Sequence, residues 1–197
     1  MRELVIHTFY SREDMNTNME TATLASGCFW CSEAVFRRLE GVKSVLPSYS
    51  GGKVENPSYE DVCTGRTGHA EAAQIEFDPD VISFEKLLDV FWHTHDPTTP
   101  NRQGNDVGTQ YRSAIFYHSE KQRETAEKSK RELEIKGFYR DSIVTEISPF
   151  KEFYVAEDYH KNYYEQNKNA GYCRSVIAPK IQKLFKQYKN ELKGEYA

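Results

Sequence analysis

The strongest constraint on the fold of this chain is the order in which two kinds of hydrophobic spacing alternate along it. Alternation with a period of two predicts strands, and apolar residues at three- and four-residue spacing predict helices. Residues 83–95 have the clearest helical spacing, and residues 69–77 place Glu71 on the same strand face as Ala73, Ile75 and Phe77. The predicted order of strand, helix, strand, strand, helix, strand is the split β-α-β arrangement of ferredoxin-like folds. We therefore expect an α+β fold, a two-layer α/β sandwich with a ferredoxin-like core and a C-terminal extension.

The predicted elements cover most of the chain after residue 20, so residues 1–20 are expected to form a polar N-terminal extension and residues 21–197 a single catalytic domain. The predicted strands are residues 21–27, 42–50, 69–77, 111–118 and 142–148. The predicted helices are residues 29–40, 59–63, 83–95, 119–137, 155–166 and 179–192. Residues 96–110 are rich in turn formers and too long for a minimal connection, which indicates a functional loop.

The composition argues against several classes of function. The chain has 26 Lys and Arg against 30 Asp and Glu, a net charge of -4, so no general positive field attracts nucleic acid or an anionic membrane. No run of 18 apolar residues is present, and the first residues carry charges where a signal peptide needs an apolar centre. We expect a cytoplasmic protein, and we expect a monomer because no large apolar surface stripe demands a partner.

Cys28 and Cys31 lie three positions apart and enclose two aromatic residues in the stretch "SGCFWCSE". A structural zinc site needs four ligands, and a C-x-x-C half-site is usually completed by a second close pair. The other two cysteines, Cys63 and Cys173, are isolated, so we expect no metal site. A thioredoxin-like redox pair is the main alternative, although such pairs usually enclose smaller or turn-forming residues.

Cys28 falls where a predicted strand leads into a predicted helix. Its thiol should therefore face the free N–H groups and the positive end of the helix dipole, both of which favour the thiolate. Phe29 and Trp30 offer two flat apolar surfaces beside this sulfur, which suits an apolar group of a small substrate. Cys63 is instead expected to be an inert, buried thiol.

Five motifs of the chain, "GCFW", "YSGG", "TGHAEA", "HDPTTPNRQGNDVGTQYRS" and "AEDYHKNYY", together closely resemble the peptide methionine sulfoxide reductases of the A type, which act on the S epimer of the sulfoxide. The resemblance runs from about Thr21 through Cys173, and five motifs in the family's order are highly specific. It implies an α/β two-layer fold, oxidised proteins or free methionine sulfoxide as substrate, and thioredoxin as the usual reductant.

The residue types fit this chemistry, because reduction of a sulfoxide needs a nucleophile for the sulfur and an acid for the oxygen. Cys28 is the expected nucleophile. Glu71, on an apolar strand face, should have a raised pKa and stay protonated at neutral pH, which suits the proton donor that the resemblance also implies. Tyr49 and Tyr111 are expected to hold the sulfoxide oxygen, and Asp106 to support them through water or backbone contacts.

In this assignment Phe29 and Trp30 hold the S-methyl group, and no metal or organic cofactor is needed. Oxygen transfer leaves Cys28 as a sulfenic acid, which a second thiol condenses to a disulfide. Many members of the family have Gly at the position of Cys31 and use C-terminal cysteines. Nearness favours Cys31 as the second thiol, whereas a predicted mobile loop and the family pattern favour Cys173. The sequence leaves their order open.

Overall fold

The computed structural model describes residues 18–196, which form a six-stranded sheet with helices and a separate two-stranded hairpin. The strands are β1 (Glu20–Ser26), β2 (Val42–Ser50), β3 (Ala70–Phe77), β4 (Arg102–Gln103), β5 (Asp106–Val107), β6 (Ser113–Tyr117), β7 (Glu146–Pro149) and β8 (Phe153–Val155). The α-helices are α1 (Phe29–Phe36), α2 (Tyr59–Cys63), α3 (Phe84–Thr94), α4 (Glu120–Ile135), α5 (Tyr163–Gln166) and α6 (Ala178–Gln187). Most of the predicted N-terminal extension lies outside the described residues.

The strand order in the large sheet is β7-β6-β1-β3-β2-β8. β1 is antiparallel to both of its neighbours, β3 and β6, and β2 is antiparallel to β3 and β8. β7 is parallel to β6 and closes the other edge. The mixed α/β fold predicted from the sequence is therefore confirmed, and the sheet gains an edge strand, β8, that the hydrophobic pattern did not predict.

Helices pack on one face of the sheet and form the main core with it. On this face Leu24 of β1 and Ile75 of β3 contact the apolar sides of α1 and α3. α3 has the predicted apolar spacing and begins after Ser83, whose hydroxyl accepts a hydrogen bond from the Lys86 N–H at 3.2 Å. Within residues 18–196, none of the helices combines the length and the apolar character needed to cross a membrane.

Gly27 joins β1 to α1 and has a φ of +88°, in the left-handed region that favours glycine. A Cβ atom at this position would lie 2.5 Å from the Cβ of Gln103, in the hairpin loop. Both the backbone conformation and the close approach therefore require glycine here. The turn directs Cys28 to the start of α1.

Residues 155–166 do not form the single helix that their apolar spacing predicted. Val155 ends β8, a 3-10 turn covers Asp158–His160, and α5 begins only at Tyr163. Asn162 breaks the helix because its φ is +56°, a left-handed conformation that an α-helix cannot contain. The helix prediction for this segment was wrong.

Cys173 was predicted to lie in a mobile loop, and this prediction was also wrong. It begins a π-helix, Cys173–Ile177, that leads directly into α6, and its side chain is fully buried. Cys173, Ile177 and Ile181 are spaced four residues apart, so they share one helical face. That face packs into a cluster with Cys28 and Cys31, which explains why the segment is ordered as a helix.

Candidate active site

Three of the four cysteines meet in one apolar cluster. The exposed fractions of Cys28, Cys31 and Cys173 are 6%, 2% and 0%, and all three are free thiols. Cys63 is free and exposed at the end of α2, so the expectation of a buried thiol there was wrong. The reason is that α2 buries only Val62, which leaves Cys63 at the surface.

Cys28 is the N-cap residue of α1, and its carbonyl accepts hydrogen bonds from the N–H groups of Cys31 and Ser32 at 3.0 and 3.4 Å. The sequence predicted a lowered thiol pKa at this position. The structure shows the reverse, because burial raises the pKa of Cys28 well above its usual value, and the neighbouring Cys31 and Glu71 raise it further. The contact with the Tyr172 hydroxyl acts in the opposite direction but is outweighed.

Cys31 has the lower pKa of the two thiols. The interaction with the Cys28 thiol lowers its pKa to about 7, and the positive charge of Lys180 and the contact with Tyr172 act in the same direction, against burial. The two thiols interact strongly, so the first ionisation belongs to the pair, with Cys31 the thiol that the surroundings favour as thiolate. Burial raises the pKa of Cys173, and a negative Cys31 raises it further, because the three thiols lie in the same cluster.

Glu71 lies on the helix-facing side of β3, in the alternation that the sequence predicted, and is 1% exposed. Its Oε2 accepts a hydrogen bond from the Phe29 N–H at 3.0 Å. Burial raises the pKa of Glu71 to about 8, and the nearby Asp106 and Cys31 add to the effect of burial. Glu71 is consequently a neutral carboxylic acid at pH 7, close enough to Cys28 to influence the pKa of that thiol.

Phe29 and Trp30 form aromatic walls next to Cys28. The Trp30 indole lies flat against Tyr163, with ring centroids 3.6 Å apart and an angle of 4° between the planes. Its Nε1–H donates to Nδ1 of His160 at 3.0 Å. Because an indole N–H can only donate, Nδ1 of His160 is unprotonated and the proton lies on Nε2. The orientation of Trp30 is thus fixed on two sides.

The two tyrosines predicted to hold an oxygen atom lie in different environments. Tyr49 is fully buried opposite Glu71 in the β2–β3 pair, and its hydroxyl donates to Oε2 of Glu157 at 2.8 Å. Tyr111 is half-buried beside Cys28 and Glu71, and its hydroxyl makes no hydrogen bond to another residue of the described chain. Burial raises the pKa of both phenols, so both remain neutral donors.

Asp106 makes a direct side-chain contact next to the cysteine cluster. Its Oδ2 accepts a hydrogen bond from the Tyr172 hydroxyl at 2.6 Å. Tyr172 in turn contacts both Cys28 and Cys31. Asp106 can make this contact because the β4–β5 hairpin holds it beside the helical segment that carries Tyr172.

The structure thus brings together all nine residues that the sequence singled out, and it adds four that were missed: Glu157, His160, Tyr163 and Tyr172. Three of the four belong to "AEDYHKNYY", which had been quoted without a role for any of its residues. The fourth directly precedes Cys173. The signal that could have identified three of them is the motif itself, which is rich in polar and aromatic side chains.

The family model for peptide methionine sulfoxide reductase matches residues 20–193. A peptide methionine sulfoxide reductase MsrA of Sulfolobus acidocaldarius is 58% identical over 170 residues, which are 86% of this chain and 96% of the relative.

Two solved structures of Mxr1 from Saccharomyces cerevisiae have a similar fold. The reduced form has a TM-score of 0.72 and 38% sequence identity, and the match covers 79% of this chain and 89% of Mxr1. Mxr1 in complex with Trx2 has a TM-score of 0.52 and 30% identity, and the match covers 78% of this chain and 91% of that one.

Proposed function

Because this chain belongs to the peptide methionine sulfoxide reductase family and is an oxidoreductase acting on methionine sulfoxide, we propose that it reduces the S epimer with Cys28 as nucleophile and Glu71 as acid. One observation carries this assignment. Glu71 is a buried carboxyl group with a pKa raised to about 8, and it is hydrogen-bonded to the residue that follows Cys28. Such a group supplies a proton at neutral pH, which a departing sulfoxide oxygen requires.

In the proposed reaction the Cys28 sulfur attacks the sulfur of the sulfoxide while Glu71 protonates its oxygen. Cys31, with its lower pKa, takes the proton from the Cys28 thiol as the attack begins. The hydroxyl then moves from the substrate sulfur to the Cys28 sulfur, and the bond between the two sulfurs breaks with its electron pair returning to the substrate. Cys28 is left as a sulfenic acid, and the substrate leaves as the thioether. The steps need thiols and a carboxyl group and do not call for a metal or an organic cofactor.

The substrate occupies the cluster in a defined orientation. Phe29 and Trp30 contact its methyl group, and the free hydroxyl of Tyr111 donates to its oxygen. Tyr49 joins this contact only if its hydroxyl leaves Glu157, to which it donates at 2.8 Å. Asp106 acts on the site through the Tyr172 hydroxyl.

Cys31 is the first resolving thiol in this proposal, and Cys173 is the second. The hydrogen bond between Cys28 and Cys31, together with the C-x-x-C spacing, supports Cys31 as the thiol that expels water from the sulfenic acid. Cys173 then attacks the Cys28–Cys31 disulfide at Cys31, the cysteine whose charge acts on the Cys173 thiol. A new disulfide between Cys31 and Cys173 forms, and Cys28 returns to the thiol.

Thioredoxin is the proposed reductant of the last disulfide, and its dithiol becomes a disulfide as the two cysteines are reduced. The Mxr1 structure with Trx2 supports this choice.

We also propose that β6, β1, β3 and β2 form a ferredoxin-like core, which the antiparallel order of these strands supports. A single catalytic domain, a monomeric state and a cytoplasmic location stay predictions from the sequence.

An epimer-resolved assay tests the function. The protein is given dithiothreitol with the S or the R epimer of a blocked methionine sulfoxide, and insulin disulfides are offered in parallel. We expect turnover of the S epimer only. Reduction of insulin without turnover of either sulfoxide would support the rival function, a general dithiol-disulfide oxidoreductase, and overturn this one.

A further inference from the structure

Glu33 has no part in the chemistry above, yet its carboxyl group is buried close to the site. It lies on α1 three residues after Trp30 and is 5% exposed. Its Oε1 accepts a hydrogen bond from the backbone N–H of Asn162 at 2.7 Å, and the N–H of Tyr163 also donates to the carboxyl group. A buried carboxyl group is costly unless such bonds are made, so this contact has a structural purpose.

The contact forms at the start of α5, where the helix has no side-chain cap from its own segment. Asn162 has the left-handed φ of +56°. Glu33 reaches across from α1 and supplies the missing acceptor for the first N–H groups. Arg37, one turn further along α1, donates to the side-chain oxygen of Asn162. The start of α5 is therefore held by Glu33 of α1 and by Arg37 at the end of that helix.

The residue at that start is Tyr163, whose ring lies flat on the Trp30 indole. Trp30 and Glu33 are three residues apart on one helix, so their side chains project on neighbouring parts of its surface. The contact with Glu33 fixes the backbone at Tyr163, and the Trp30 indole packs against the Tyr163 ring. The position of the aromatic wall beside Cys28 depends on both contacts.

A separate ion pair holds the other end of α5. Arg38 is 3% exposed, and its guanidinium group pairs with Glu165. Its Nη1 also donates to the Ala34 carbonyl at 2.5 Å. This pair keeps α5 attached to α1 when the contact of Glu33 is removed, so loss of Glu33 should shift the start of α5 without releasing the segment.

We propose that Glu33 is a positioning residue that sets the Trp30–Tyr163 wall through the backbone at Asn162 and Tyr163, and thereby sets the affinity for the methyl group of the substrate. The inference rests on the proposed function, since it assumes that this wall contacts the substrate. Glu33 itself touches neither the substrate nor the reacting sulfur.

The test measures kcat and KM for the S epimer separately. In Glu33→Ala we expect KM to rise about tenfold while kcat at saturation stays within about twofold, because the affinity changes and the reacting groups do not. Glu33→Gln should recover most of the affinity, since its side-chain carbonyl oxygen still accepts from the two N–H groups. Glu40→Ala, the same loss of charge at an exposed site just beyond α1, should leave both constants unchanged.

Two further variants make the outcome decisive. In a Trp30→Ala background, Glu33→Ala should raise KM no further, because the wall it positions is already gone. If Glu33→Ala does not fold, Glu33→Asp replaces it, since the shortened carboxylate keeps the charge but withdraws from the two N–H groups. The inference would be overturned by an unchanged KM in the folded variant. It would also be overturned by a fall of kcat as large as the expected rise of KM, if Glu33→Gln did not restore kcat. Absence of sulfoxide turnover in the wild type would instead overturn the proposed function.

Discussion

The N–H of Phe29 donates a hydrogen bond to Oε2 of Glu71 at 3.0 Å, which ties the first residue of α1 to a buried carboxyl group on β3. The bond holds the carboxyl group beside Cys28, the residue that precedes Phe29. It also occupies only one of the two carboxyl oxygens, so the other can carry the proton. The carboxyl group proposed as the acid and the thiol proposed as the nucleophile are thus positioned by the same helix start.

Replacement of Glu71 tests its role as the acid. We expect Glu71→Gln to fold normally, because the amide oxygen can still accept from the Phe29 N–H, and to lose activity on the S epimer by a factor of roughly 100 or more. Thermal unfolding and kcat measure the two effects. Glu76→Gln is the matched control on the exposed side of the same strand and should keep full activity.

The pH dependence of the first step tests the raised pKa of Glu71. This pKa is about 8, so the carboxyl group loses its proton as the pH rises through that value, and the rate should fall. Single-turnover reduction of the S epimer between pH 6 and pH 9.5 measures this. A rate that stays constant through pH 8 and above would contradict the assignment of Glu71 as the proton donor.

The order of the cysteines is tested by trapping the first disulfide after one turnover and identifying it by mass spectrometry. We expect a Cys28–Cys31 disulfide in Cys173→Ser, because the two thiols are already hydrogen-bonded. In Cys31→Ser we expect the sulfenic acid of Cys28 to accumulate. Cys63→Ser is the control with an exposed thiol outside the cluster and should follow the wild type. A first disulfide between Cys28 and Cys173 in the wild type would refute this order.

His95 should make the fold sensitive to acid. Its Nδ1–H donates to the Phe91 carbonyl at 2.7 Å, and its Nε2 accepts from the Ser113 hydroxyl at 2.8 Å, so the buried ring is neutral. Burial lowers its pKa from 6.5 to about 3, whereas the unfolded chain binds the proton near pH 6.5. Stability is therefore present above pH 6.5 and is lost as the pH falls towards 3.

From the pKa of about 3 for folded His95, we expect the free energy of unfolding to fall by about 2 kcal/mol between pH 7 and pH 5. Urea unfolding at the two pH values measures this change. In His95→Gln the same interval should show a smaller loss. An equal loss in both proteins would mean that other groups cause the acid sensitivity.

The sequence by itself determined the mixed α/β fold and most of the site. Alternation and helical spacing are local properties, so they predicted the main strands, the helix at Phe84–Thr94 and the apolar face that carries Glu71. The placement of Cys28 at a helix start beside Phe29 and Trp30 could be predicted because these residues lie next to one another in the chain.

Tertiary structure decided the properties that depend on burial and on distant partners. The pKa of Cys28 is raised because residues far along the chain bury it, an effect that exceeds the local influence of the helix start. Residues 155–166 were not one helix, since the backbone at Asn162 is held by Glu33, which is 129 positions away in the sequence. Cys173 was ordered in a helix by the same apolar cluster. Local periodicity carries no information about such contacts, because their energies come from groups brought together only by folding.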